Sequence, residues 1–150
     1  MTNPAEIYQD EIVTLAKAKN GAERLEAPDA TVTLDNPLCG DRVTMDIKVQ
    51  DGKITEVGHR VRGCMLCEAS ASLVARDAIG TSVDAALSAR QKLDDILKSG
   101  ATPADGDNWA TLSAFAPVAD FKSRHECVLL PLEALGKAVE QTANQAEGTS

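Results

Sequence analysis

"RVTMDIKVQDGKITEVGHRVRGC", residues 42–64, decides the fold. Val43, Met45, Ile47 and Val49 alternate with Thr44, Asp46 and Lys48, the period of a strand with one buried face. Asp51-Gly52 then turns the chain, and that dipeptide between two strand-like runs predicts a hairpin. The return strand is expected from about Lys53 to Arg62. Ile54 and Val57 are out of phase with each other, which predicts a bulge near them.

Upstream, residues 18–42 are rich in Gly, Pro, Asn and Asp and read as a connection, within which Val32 and Leu34 predict an edge strand. Residues 5–17 predict a helix, with Pro4 near its start and Ile7, Ile12 and Leu15 on one face, ending before Asn20-Gly21. Downstream, a helix is expected from Met65 to a stop at Gly80. Its Ala69, Ser72 and Ala75 face is made of small side chains and calls for a close partner. Thr81 and Asp84 have the spacing of a capping box, opening a helix from about Ser82 to Lys98 that stops at Gly100 and buries Val83, Leu87, Leu93, Ile96 and Leu97.

"GATPADGDN", residues 100–108, is a polar loop, and "WATLSAFAPVADF", residues 109–121, predicts a short helix broken near Pro117, with Trp109 and Phe115 in the core. A last helix is expected from about Glu126 to Gln141. Pro131 removes an amide and crowds Cys127, so it either delays the start to about Leu130 or kinks the first turn. Residues 142–150 should fray. The pattern is a single α+β domain: a three-stranded antiparallel sheet covered on one face by about five helices, ordered over about residues 5–140.

Fifteen Lys and Arg against 23 Asp and Glu leave a net charge of −8, which argues against nucleic-acid and anionic-membrane surfaces. The opening "MTNPAEIYQDEIVTLAKAK" is acidic where a secretory signal is basic, and no apolar run approaches a membrane span. A cytoplasmic protein is expected, in which Cys39, Cys64, Cys67 and Cys127 stay reduced.

Three of these cysteines lie at structural punctuation: Cys39 before a strand, Cys64 between strand and helix, Cys127 where a helix begins. A helix N-terminus favours the thiolate, the form that binds metal and attacks sulfur. In "NPLCGD", residues 36–41, a glycine turn lets Cys39 and Asp41 reach one ion from a single loop. Three thiolates with Asp41 would complete a tetrahedral zinc shell if the junctions converge. Two alternatives stand beside this. Cys64-Met65-Leu66-Cys67 is a zinc half-site that His125 and Cys127 of "RHEC" would complete as a structural centre, and any one cysteine can simply be a small buried hydrophobe. His59 lies mid-strand, where an imidazole is ordinarily solvated or hydrogen-bonded.

Taken together, "NPLCGD", "DIKVQDGKITEV", the Gly63-Cys64 pair, "EASASL" and a last cysteine opening the C-terminal helix resemble the NifU/IscU family of iron–sulfur cluster assembly proteins over about residues 5–140. Within it the chain is similar to the SufU-type branch. The interval from Cys64 to Cys127 is long and carries "WATLSAFAPVADFKSRHEC", and Glu126, rather than histidine, precedes Cys127. The IscU-type Leu-Pro-Pro-Val-Lys motif is missing, and Cys67 is extra.

The resemblance implies a NifU-like fold, with Cys39, Asp41, Cys64 and Cys127 ligating one zinc ion and His125 as an alternative ligand. It further implies Cys127 as the sulfur acceptor, Arg124 in support, a SufS-type cysteine desulfurase as partner and downstream SUF proteins as recipients. A 2Fe–2S or 4Fe–4S cluster assembled on the same ligands is the alternative cargo, and a structural zinc domain is the third reading.

Overall fold

The computed structural model describes residues 10–37, 40–100 and 109–148. Three antiparallel strands, β1 (Ala30–Asn36), β2 (Asp41–Gln50) and β3 (Lys53–Arg62), form a sheet in the order β1-β2-β3. Around it stand α1 (Asp10–Ala18), α2 (Met65–Ala78), α3 (Val83–Ser99), a 3-10 segment (Ala110–Asp120), a short 3-10 turn (Lys122–Arg124) and α4 (His125–Gly148). The α+β architecture is the expected one.

The hairpin of β2 and β3 follows the sequence closely. Asp51 and Gly52 take φ of 55° and 76°, the paired left-handed conformation of a type I′ turn. Lys48 pairs with Glu56 while Val49 pairs with Ile54, so Thr55 is the extra residue of a bulge inside the expected stretch. Val43, Met45 and Ile47 are fully buried, with β2 packed against α4.

Asp46, on the other face, is also fully buried, although its alternation predicts a solvated side chain. Residues 24 and 25 return across that face to cover it. The Arg24 guanidinium donates to Asp46 Oδ2 at 2.6 Å and Oδ1 at 3.2 Å, the Leu25 amide donates at 3.1 Å and the Thr31 hydroxyl at 2.6 Å. Burial opposes the charged carboxylate, but these donors outweigh it and hold the Asp46 carboxyl below the usual carboxylate range.

The small face of α2 has the close partner it calls for. Ser72 Oγ accepts from the Asn20 amide at 3.1 Å and from Asn20 Nδ2 at 3.0 Å, and Gly21 sits against Ala75. On the opposite side, Ser70 Oγ donates to the Val128 carbonyl at 2.6 Å and ties α2 to the first turn of α4.

Several boundaries differ from expectation. Ser82, not Thr81, caps α3 by accepting from the Ala85 amide, while Thr81 donates to the Ala78 carbonyl. Leu87 is exposed because Ala86 and Ala89 take the inner face with Leu93, Ile96 and Leu97. The 3-10 segment runs through Pro117 without a break, burying Trp109 and Phe115 completely. Helix α4 starts at His125, within one residue of the expected Glu126 and ahead of Pro131, but continues past Gln141 to Gly148. The buried Val128, Leu129, Leu130, Leu132 and Leu135 offset the one hydrogen bond a proline removes, and the backbone is helical where fraying is expected. Ile7 of the expected first helix lies outside the described residues. Among the described residues no helix is long and apolar enough to cross a membrane.

His59 pairs with Met45 and shares its buried face, only 3% exposed. Burial pushes its imidazole below the ordinary value, against the opposing hydrogen bond to Asn20. The unfolded chain therefore takes up a proton near pH 6.5 that the native state resists, and stability is full above that pH and falls below it. Urea midpoints measured from pH 7.5 to 5 should decline with a slope approaching about 1.4 kcal/mol per pH unit, and His59→Gln should flatten that decline. The Asp46 contribution has the same sign but is lost only near and below the ordinary carboxylate range, so the two windows separate.

Candidate metal centre

Each of three element junctions delivers one donor. The final pair of the β1–β2 ladder sets Asn36 opposite Asp41, and the Gly40 amide donates to the Asn36 carbonyl at 2.8 Å, so the turn places Asp41 at the mouth of β2. Cys64 follows β3 after the single residue Gly63 and occupies the N-cap position of α2 in extended backbone. Cys127 sits in the first turn of α4, which Ser70 holds against α2.

The ligand atoms of Asp41, Cys64 and Cys127 all lie within 4.8 Å of one another. Asp41 and Cys127 are buried and Cys64 is half-buried, so Cys64 marks the open side. Asp41 Oδ1 accepts from the Cys64 amide at 3.1 Å, and its Oδ2 stands 3.8 Å from Cys64 Sγ. Gly63 makes room for this carboxylate, since a Cβ there would lie 2.4 Å from Asp41 Oδ1 and 2.8 Å from its Cγ.

The Cys64 thiol is pulled down to about 6. A hydrogen bond from Cys127 is the largest cause, and the Cys67 and Leu66 amides at the start of α2 add to it. Burial and the Asp41 carboxylate push the other way. A neighbouring thiol and the amides at a helix start together favour the Cys64 thiolate.

The donor set fits zinc. With Zn–S near 2.3 Å and Zn–O near 2.0 Å, neighbouring donors of a tetrahedral shell stand about 3.5–3.8 Å apart. The Asp41–Cys64 separation, an oxygen–sulfur edge, is 3.8 Å, a few tenths of an ångström longer than the about 3.5 Å of a closed shell.

Other residues singled out in the sequence fall elsewhere. Cys39 lies outside the described residues. Cys67 is fully buried in the core of α2 and outside the converging group, though its amide serves Cys64. His125 is also outside that group, with its Nε2 donating to the Ala119 carbonyl at 3.0 Å. Arg124 is half-buried in the 3-10 turn one helical turn before Cys127. The spacer role of Gly63 and the Ser70 tie escape a reading of the sequence. The small-residue stretch 68–73 is the signal that points to the second of these.

Residues 7–128 match the NifU-like N-terminal domain family. The chain is 28% identical over 138 residues to an iron–sulfur cluster assembly scaffold protein IscU of Streptococcus pyogenes serotype M1, covering 92% of this chain and 86% of the relative. It is 29% identical over 108 residues to the zinc-dependent sulfurtransferase SufU of Bacillus subtilis, covering 72% and 73%. The crystal structure of the N-terminal part of a nitrogen-fixing NifU-like protein from Brucella abortus superposes with a TM-score of 0.87 at 34% identity, over 94% of this chain and 97% of that one. On sequence and fold alike, the chain belongs to the NifU-like N-terminal domain family.

Proposed function

We propose that this chain works in iron–sulfur cluster assembly as a SufU-type sulfur acceptor, with Asp41, Cys64 and Cys127, joined by Cys39, holding one zinc ion. The observation that carries the reading is the convergence of one carboxylate and two thiols from three separate elements within 4.8 Å. The relatives named as an assembly scaffold and as a zinc-dependent sulfurtransferase support the same field of chemistry.

Zinc in this shell supplies a thiolate at neutral pH without a general base. Cys127 then attacks the outer sulfur of a persulfide presented by a SufS-type cysteine desulfurase. A new S–S bond forms at Cys127 Sγ, the donor's S–S bond breaks, and the donor cysteine leaves as a thiolate, so no external electrons are needed. Arg124, one turn earlier, offsets the negative charge of the incoming persulfide. Approach is from the side that Cys64 leaves open, because Cys127 itself is fully buried.

A second reading is favoured by the name of the Streptococcus pyogenes relative: a scaffold that builds a cluster on the same ligands and passes it on. One experiment separates the readings. Protein purified without added metal is assayed for zinc, iron and acid-labile sulfide, then incubated with a SufS-type desulfurase and cysteine and mapped by mass spectrometry. The expected result is one zinc per chain and a sulfur adduct on Cys127, lost in Cys127→Ala and kept in Cys67→Ala. Bound iron with sulfide and no adduct supports the scaffold instead. Zinc lost in Cys67→Ala, with wild-type protein accepting no sulfur, overturns both in favour of a structural centre.

A further inference from the structure

The sheet has a second face, opposite the one that buries Val43, Met45 and Ile47, and its charges run against the composition of the chain. Residues paired across antiparallel strands share a face, so the ladder sets them out in rows. The row beside Asp41 is Asp35, Arg42 and Arg62, and the next is Thr33, Thr44 and Arg60. In the third row, Thr31, Asp46 and Gly58, the carboxylate is roofed by Arg24 and Leu25. The first two rows have no such cover: Thr44 is half-buried and the other five side chains are exposed.

Three arginines on two adjacent rows stand out in a chain with 15 basic and 23 acidic residues. Like charges directly opposite each other destabilise a strand pair, and Arg42 stands directly opposite Arg62. The other cations of this face are each answered by an acid. Arg24 meets Asp46 at 2.6 Å, Arg42 meets Asp35 at 2.6 Å and Lys48 meets Glu56 at 3.3 Å. Arg60 and Arg62 have no hydrogen bond or ion pair among the described residues. Beside them the Thr33 and Thr44 hydroxyls share one hydrogen bond of 3.1 Å and keep further bonding capacity.

A guanidinium fork takes a carboxylate through two parallel hydrogen bonds. Arg60 and Arg62 are alternate residues of one strand, about 7 Å apart, which is also the spacing of alternate side chains on any other extended chain. The net charge of −8 repels the continuous charge of a nucleic-acid backbone, whereas a short acidic segment need meet only this face.

We propose that this sheet face docks an extended acidic segment of a partner protein, with carboxylates at alternate positions on Arg60 and Arg62 and a third on Arg42. The inference stands apart from the metal reading, since none of the three arginines is one of its donors.

The full chain, labelled with 15N and held at low ionic strength, reports through its arginine Nε–Hε resonances, with Arg76 and Arg90 as internal references. The probe is a capped hexapeptide of alternating threonine and glutamate; the controls are the same peptide with glutamine for glutamate, and a short oligothymidylate. The expected result is a saturable shift of Arg42, Arg60 and Arg62 by the acidic peptide alone, weakened by physiological salt. The double variant Arg60→Gln, Arg62→Gln should bind about tenfold more weakly without a fall in its urea midpoint, because it removes a repulsion and no contact. Asp35→Asn, which removes the acid of these two rows, should bind the peptide more tightly. The proposal is overturned by any of four results: no saturation up to about 10 mM; glutamine peptide or oligothymidylate binding as tightly as the acidic peptide; Arg76 and Arg90 shifting as far as Arg60 and Arg62; or weaker binding by Asp35→Asn.

Discussion

Gly63→Ala is expected to strip the metal centre while leaving the chain folded. The added methyl would sit 2.4 Å from Asp41 Oδ1, 2.8 Å from Cγ and 3.1 Å from Cβ, so a small rotation of the carboxylate cannot relieve it. Asp41 is 2% exposed, and the whole side chain must swing out of its pocket, abandoning the Cys64 amide as it goes. Gly63 itself does not have the left-handed φ that would strain an alanine, and it lies at the surface, so the fold is not at stake.

The substitution therefore removes an oxygen donor without touching any ligand. Loss of a group that orients a metal ligand ordinarily costs 10–100-fold in affinity, and displacing the ligand itself should reach at least the upper end, about 100-fold. Competition against a chromogenic chelator measures it, with thermal unfolding as the control on fold. Unchanged zinc affinity in Gly63→Ala would remove Asp41 from the shell.

Gly21→Ala should be strongly destabilising. Its Cβ would lie 2.5 Å from Ala75 Cβ, which has no rotamer to escape into, and 3.0 Å from the Val57 carbonyl, which is sheet backbone. The residue also holds φ of 66°, so an L side chain adds conformational strain to the clash. Relief requires the corner at residues 20–21 to lift, breaking the Asn20 bonds to Ser72 and His59.

Strain and overpacking together should cost about 3–5 kcal/mol, read as a fall in the urea midpoint at unchanged slope. Gly52→Ala isolates the conformational part, because φ there is 76° and no atom lies within 4 Å; about 1 kcal/mol is expected. Adding Ala75→Gly to Gly21→Ala should recover about 1–2 kcal/mol, the clash relieved less the cost of glycine in a helix. A double variant no more stable than Gly21→Ala alone would mean that the close approach to α2 does not set the cost.

The sheet was readable because its signals are local: strict alternation in residues 43–49, Asp51-Gly52 at the turn, and a phase slip that becomes the bulge at Thr55. Helix edges were less so. Ser82 and Thr81 are both capable caps, and only the direction of the entering chain decides between them. Leu87 illustrates a different limit, because two alanines let α3 approach more closely than its larger residues would, turning the leucine outward.

Pro131 does not delay the start of α4 to Leu130, since one lost amide is small beside the burial of five neighbours. In the site, residue types and junction positions pointed to Asp41, Cys64 and Cys127, but no local pattern could say that they meet. The burial of Asp46 and His59 depends on segments twenty or more residues away in sequence, which is why neither was legible.

The convergence of Asp41, Cys64 and Cys127 bears on the order in which the molecule is completed. The hairpin and α2 can form from neighbouring sequence, and they bring Asp41 and Cys64 together early. Cys127 arrives only when the C-terminal helix closes over them, after a much longer loop has been shut. A chain without that helix in place has fewer arms to offer an ion and holds it weakly. If the site takes a metal as proposed, uptake would discriminate finished molecules from unfinished ones, and at a hundredfold excess over the dissociation constant it would stabilise the finished state by about 2.7 kcal/mol. On the proposed reading, an ion held by these residues would also certify that the protein around it has folded.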